Sequence, residues 1–134
     1  MAVMNINRRF AGRRGLGIGI STIAVLFLIF DATGKLLKVA PVTAGSAALG
    51  VPEGLVRTLG VLLSLCLLTY LIPRLAIIGA VLLTAYLGGA VATHVRVGSP
   101  LLTHVLFPVY VAAFVWGGLY LRDRRVQYLF GPRE

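Results

Sequence analysis

The chain has 134 residues, of which 58% are hydrophobic and only 13% charged, and its mean hydropathy is +0.93. A soluble domain carries roughly a quarter charged residues, so there is too little polar surface here to cover a water-soluble globule, which excludes a soluble enzyme, a disordered segment and a disulfide scaffold. Thirteen Lys and Arg against four Asp and Glu give a net charge of +9. These basic residues gather at the ends of apolar runs, the pattern of topology signals and anionic-lipid contacts, not of a nucleic-acid face.

The first segment, residues 1–14, holds Arg8, Arg9, Arg13 and Arg14 and reads as a basic cytoplasmic arm. An apolar run from Gly15 to Phe30 follows, and it can continue helically past Asp31, which predicts a first span over about 15–37. No small-x-small cleavage site follows Phe30 and three more spans come later, so this run is expected to be an uncleaved anchor and not a signal peptide.

The connection that follows is rich in small residues between Pro41 and Leu49 and stops at Gly50. It predicts a short interfacial helix lying as a lid over the outer end, with an ordinary ordered connector as the alternative. Pro52 and Glu53 open a second span, about 52–72, because proline is tolerated in a first helical turn and a carboxylate suits the positive end of the helix dipole. Pro73 ends it. A third span occupies about 74–94, and Ser99-Pro100 introduces a fourth over about 100–121. Cys66, the single cysteine, lies within the second run, so no intramolecular disulfide or CxxC pair exists. Residues 122–134 form a basic tail.

The expected fold is therefore all-α, an integral membrane four-helix bundle running up-down-up-down. Nine basic residues fall at the termini and in the Pro73-Arg74 turn, against four on the other side, namely Lys35, Lys38, Arg57 and Arg96. By the positive-inside rule both termini are expected to be cytoplasmic.

That topology gathers almost every other ionisable side chain at the outer face: Asp31 and Lys35, Glu53 and Arg57, His94 and Arg96, and His104. Charge at membrane depth is costly, so such a layer is the candidate site for a ligand or for chemistry. Asp31 and Lys35 have the i,i+4 spacing of a helical ion pair; Asp31 can alternatively accept a proton or anchor a ligand. Glu53 and Arg57 share that spacing at the start of a helix and read as a solvated pair. His94 and His104 are brought close by a short outer hairpin, where imidazole serves proton exchange or interfacial hydrogen bonding. With Asp31 they would make three metal ligands, but no metal-binding spacing is present and no metal is expected. Pro108, inside the fourth span, is expected to kink it and leave the His104 carbonyl without a partner. Gly15 and Gly19 in the first span, Gly79, Gly88 and Gly89 in the third and Gly117 and Gly118 in the fourth provide small faces for close helix contact. Tyr70, Tyr86, Tyr110, Tyr120 and Trp116 read as interfacial or interhelical, with an aromatic wall for a flat ligand such as a quinone as the alternative.

Three segments carry a resemblance: Phe30-Asp-Ala-Thr-Gly-Lys-Leu, Tyr86-Leu-Gly-Gly-Ala-Val-Ala-Thr-His-Val-Arg-Val-Gly and His104-Val-Leu-Phe-Pro. In order and spacing they resemble the DoxX-like family of small four-helix bacterial membrane proteins, over about residues 16–125. The resemblance implies a multi-pass protein of the bacterial inner membrane. It also implies an association with membrane redox systems, some of them quinone-linked, and places Asp31, Lys35, His94, Arg96 and His104 on family-like motifs without assigning any of them a catalytic role. On this basis the chain is expected to be an accessory subunit of a membrane redox system, with quinone as the one cofactor implied, rather than an autonomous enzyme. The alternatives are a non-enzymatic protein that binds or helps to transport a lipid or small apolar molecule, and a structural membrane partner. Expected partners are membrane lipids, a membrane or redox protein and further copies of the chain, but no nucleic acid.

Overall fold

A computed structural model describes residues 1–131, except for the side chain of Ala2; Arg133, counted above in the basic tail, lies outside the described residues. Four long helices form the bundle: α1 (Ala2–Leu36), α3 (Glu53–Leu71), α4 (Ala76–Arg96) and α5 (Phe107–Arg122). Two short helices, α2 (Ala40–Ala48) and α6 (Arg124–Phe130), and a π-helical turn (Leu101–Val105) complete it. Among the described residues four helical segments are apolar and long enough to cross a membrane, and the chain is a multi-pass membrane protein. At 1.5 Å per residue α3 and α4 are each about 30 Å long, the thickness of a hydrocarbon core.

The helices form a ring in which α1 touches α3 and α5, and α4 touches the same two. Leu28, Leu63, Leu83, Val115 and Leu119 fill the centre and are essentially inaccessible. The outside of the ring presents large apolar side chains such as Leu26, Phe30, Leu65, Leu68, Ile78 and Val81. A surface of this kind belongs against lipid, because an apolar patch of such extent is not sustained in water.

Two sequence expectations change. The first helix begins at Ala2, not near residue 15, so the basic arm is a continuation of α1. Nothing between Ala2 and Ala11 breaks a helix, since no proline or glycine occurs there and Ala, Met and Arg are strong helix formers. The second concerns Pro108. The fourth span is not one kinked helix: the π turn ends at Val105, and α5 starts at Phe107 with Pro108 in its first turn. There the missing amide costs little, because first-turn amides have no partner within the helix. In the turn, Pro100 C=O accepts from both His104 N and Val105 N, at 3.1 and 3.2 Å, and Leu106 N donates to Leu101 C=O.

At the end of the bundle that carries the chain termini, a buried polar chain ties three helices together. Arg122 Nε donates to Ser21 Oγ at 3.1 Å. Tyr70 Oη donates to Val115 C=O at 2.8 Å. Since the tyrosine proton is engaged there, the 3.1 Å contact between Ser21 Oγ and Tyr70 Oη has Ser21 as donor. The Arg122 guanidinium also lies over the Tyr70 ring, 5.1 Å from its centroid. Of the two places expected for Tyr70, interfacial or interhelical, it takes the second: it is 1% exposed and bonds across helices in the core.

α6 folds back beneath this end. Asp123 caps it by accepting from Arg125 N, and its carboxylate also holds the Arg125 guanidinium, which in turn donates to the carbonyls of Pro73 and Arg74. Val126 is fully buried, and Phe130 meets Trp116 edge-on at 6.3 Å. The hydrogen bond from the Arg125 side chain, with the amide bond and the nearby guanidinium charges, holds the Asp123 carboxyl below its ordinary value. A depressed carboxyl pKa stabilises the docked state above the unfolded value of about 3.9 and ceases to do so as pH falls through the folded value. Acidification from about pH 5 to below about pH 3 is therefore expected to loosen α6 and change the emission of Trp116, the only tryptophan. In Asp123→Asn the emission should be the same across that range; an unchanged signal in the unmodified protein would contradict this account of docking.

Candidate functional site

At the opposite end, α1, α2, α4 and the π turn surround a cavity of about 920 Å³. Its walls are mostly apolar: Phe27 and Leu28 from α1, Val42 and Leu49 from the α2 region, Leu59 and Leu62 from α3, and Phe107, Pro108 and Val111 from α5. Polar groups enter from every side, Ser46 among them from α2. Asp31 and Lys35 come from α1, Tyr86, Thr93 and His94 from α4, and Ser99 and His104 from the hairpin and π turn.

The polar groups are arranged in pairs. Asp31 and Lys35 form an ion pair across one helical turn, with side chains 30% and 15% exposed. Such a pair brings a carboxylate and an ammonium into the wall together with no net charge, which lowers the cost of placing either at membrane depth. The imidazoles of His94 and His104 lie edge-on, with centroids 5.8 Å apart and planes at 64°. His94 Nδ1 is 3.1 Å from Ser99 Oγ, and His104 Nδ1 is 2.8 Å from Thr103 Oγ1. A ring whose Nδ1 accepts a hydroxyl proton carries its own proton at Nε2 and has it to offer. Among the described residues neither Nε2 has a hydrogen-bond partner, and neither does the Tyr86 hydroxyl.

The structure thus brings Asp31, Lys35, His94 and His104 to one cavity, but not Arg96. That side chain turns to the loop and donates to Leu49 C=O at 2.7 Å, packing against Gly50, whose φ of +74° suits a residue without a side chain. Arg96 is a clasp for the end of α2. Glu53 and Arg57 do not pair with each other either. Glu53 meets Lys38 at 3.6 Å, and Arg57 Nε donates to Leu36 C=O at 3.2 Å, satisfying a carbonyl left open at the end of α1. Both side chains are recruited by the turn that closes α1, a contact between distant residues that i,i+4 spacing does not reveal. Among the described residues no group of three His, Cys, Asp or Glu side chains comes together as a metal site.

The sequence names Tyr86 among the aromatics but does not place it with the polar cluster, whose cavity it lines. Tyr86, Gly89, Ala90 and Thr93 recur at intervals of three and four on one face of α4, Val97 just past its end continues the spacing, and all of them line the cavity. The glycines gave a mixed signal. A Cβ on Gly89 would meet nothing, and this glycine widens the cavity, whereas Gly79 and Gly118 are true close approaches.

The DoxX-like family matches residues 19–118, about three quarters of the chain. The protein belongs to the DoxX-like family. No curated protein and no solved structure matches it. The matched region contains the cavity-lining Asp31, Lys35, Tyr86, His94 and His104 and ends before Arg122 and α6.

Proposed function

We propose that this DoxX-like protein binds a small molecule with an apolar body and a hydrogen-bonding head in the cavity between α1, α2, α4 and the π turn, and that it serves as an accessory subunit of a membrane redox system with a quinone as the ligand. The observation that carries the reading is the cavity itself: mostly apolar walls with three hydrogen-bonding groups, the Tyr86 hydroxyl and Nε2 of His94 and His104, that have no partner among the described residues. This is the usual composition of a small-molecule site. The donor set fits a quinone, whose two carbonyls accept hydrogen bonds and whose ring and tail are apolar. When bound, a quinone would carry electrons and protons between redox partners. The chain's own part is to hold the head through imidazole and phenol donors, to keep water out with Val42 and Leu49, and to offer a proton at histidine Nε2. The redox association rests on the family resemblance.

A second reading, a lipid or other small apolar molecule held without chemistry, draws on the same apolar walls. Purification in mild detergent followed by mass spectrometry of the retained molecules separates the two. Stoichiometric quinone or a redox partner is the expected result. A stoichiometric lipid with no quinone supports the second reading, and recovery of the bare protein contradicts both.

The same proposal puts the protein in a bacterial inner membrane with both termini in the cytoplasm and the cavity at the outer leaflet, on the strength of the basic asymmetry. A reporter active only in the periplasm should be silent when fused after Glu134 and active when inserted at Gly98; the reverse would overturn the orientation.

A further inference from the structure

The terminal end of the bundle holds a second cavity, of about 630 Å³, between the N-terminal part of α1, the α3–α4 turn and the start of α6. It is lined by four arginines, Arg14, Arg122, Arg124 and Arg125, and one carboxylate, Asp123. Arg125 is already committed, to both Asp123 oxygens and to the backbone of the α3–α4 turn, so the pair is internally neutralised.

The other three guanidinium groups have no ion-pair partner among the described residues. Arg122 uses Nε on Ser21, and its remaining nitrogens have no hydrogen-bond partner among the described residues. Arg124 lies over the Phe10 ring at 4.9 Å, which fixes its plane without using its donors. Arg14 makes no ion pair with a described residue. Like charges gathered in one concavity repel, and what relieves them is an anion with several acceptor oxygens; planar guanidinium forks match phosphate in this way. Phe10 and Leu121 give the same cavity an apolar wall.

We propose that this groove is a phosphate-binding site formed by Arg14, Arg122 and Arg124. The phosphate belongs either to the headgroup of an anionic phospholipid, whose chains would run along Phe10 and Leu121, or to a free phosphate. Binding braces the junction of α1, α5 and α6, because Arg122 also anchors the buried Ser21 and Tyr70 chain.

The test is thermal unfolding of the full chain in neutral detergent with added dioleoylphosphatidylglycerol, with dioleoylglycerol, which has the same chains and no phosphate, and with inorganic phosphate. Phosphatidylglycerol is expected to raise Tm where dioleoylglycerol does not, and Arg14→Gln with Arg124→Gln should weaken that response about tenfold or more in lipid concentration. Arg8→Gln with Arg9→Gln removes the same charge from residues that do not line the groove and should leave the response intact. A response to inorganic phosphate that the Arg14 and Arg124 changes abolish identifies the free anion as the source and retains the site. No response to either phosphate, an equal response to dioleoylglycerol, or an equal loss in the Arg8 and Arg9 variant would overturn the proposal.

Discussion

Gly79→Val is expected to prevent the bundle from assembling, whereas Gly88→Val should be tolerated. A Cβ at Gly79 would stand 2.2 Å from Tyr70 N and 2.3 Å from Tyr70 Cα, so it meets backbone, which cannot swing aside as a side-chain tip could. The clash falls where α3 turns into α4, and Tyr70 is the residue whose hydroxyl holds Val115 and Ser21. Opening the α3–α4 contact therefore also breaks the link to α1 and α5. Overpacking a close-packed site costs about 1–3 kcal/mol and occasionally more, and a steric contact with backbone belongs at the upper end. Gly88, where an added Cβ would meet nothing within 4 Å, supplies the control on the same helix. Detergent-solubilised yield and Tm measure the difference; equal values for the two variants would contradict the packing described.

Much of the fold could be read from the sequence because membrane helices are dictated by a one-dimensional property, apolar length. Pro73, Ser99 and Pro100 marked their limits, and the small-residue run after Pro41 marked α2 within a residue or so of its observed bounds. What could not be read depends on the third dimension. The turn at Leu106 arises from a competition between continuing one helix through Pro108 and starting another, and sequence spacing does not decide it. Gly15 and Gly19 pointed to a close contact on α1, but the residue pressed against α5 is Gly17, about 200° around the helix from either. For the candidate site, the convergence of Asp31, Lys35, His94 and His104 followed from alternating helix direction alone. The departure of Arg96 toward Leu49 did not, because it depends on where the end of α2 comes to rest. Tyr86 lay two turns before His94 on α4, and its role became visible only once the cavity defined which face mattered.

The second large effect concerns the ligand head. If the cavity holds a quinone through imidazole and phenol donors, removing them should weaken binding without unfolding the bundle. None of the three residues is a buried member of the central core, and His104 is exposed. A hydrogen bond contributes about 0.5–1.5 kcal/mol net, so loss of two histidine donors corresponds to roughly thirtyfold in affinity and loss of the Tyr86 hydroxyl as well to roughly a hundredfold. Arg96→Gln provides a contrast, since Arg96 clasps Leu49 and does not line the cavity; it should affect the α2 lid more than the head. The most direct measurement is equilibrium binding of a short-chain quinone to the purified protein, its His94→Ala and His104→Ala double variant, and the same variant carrying Tyr86→Phe, with Tm recorded for each. Saturable binding that weakens stepwise across the series at nearly constant Tm is the predicted result, and equal quinone affinity in all three proteins would contradict the site.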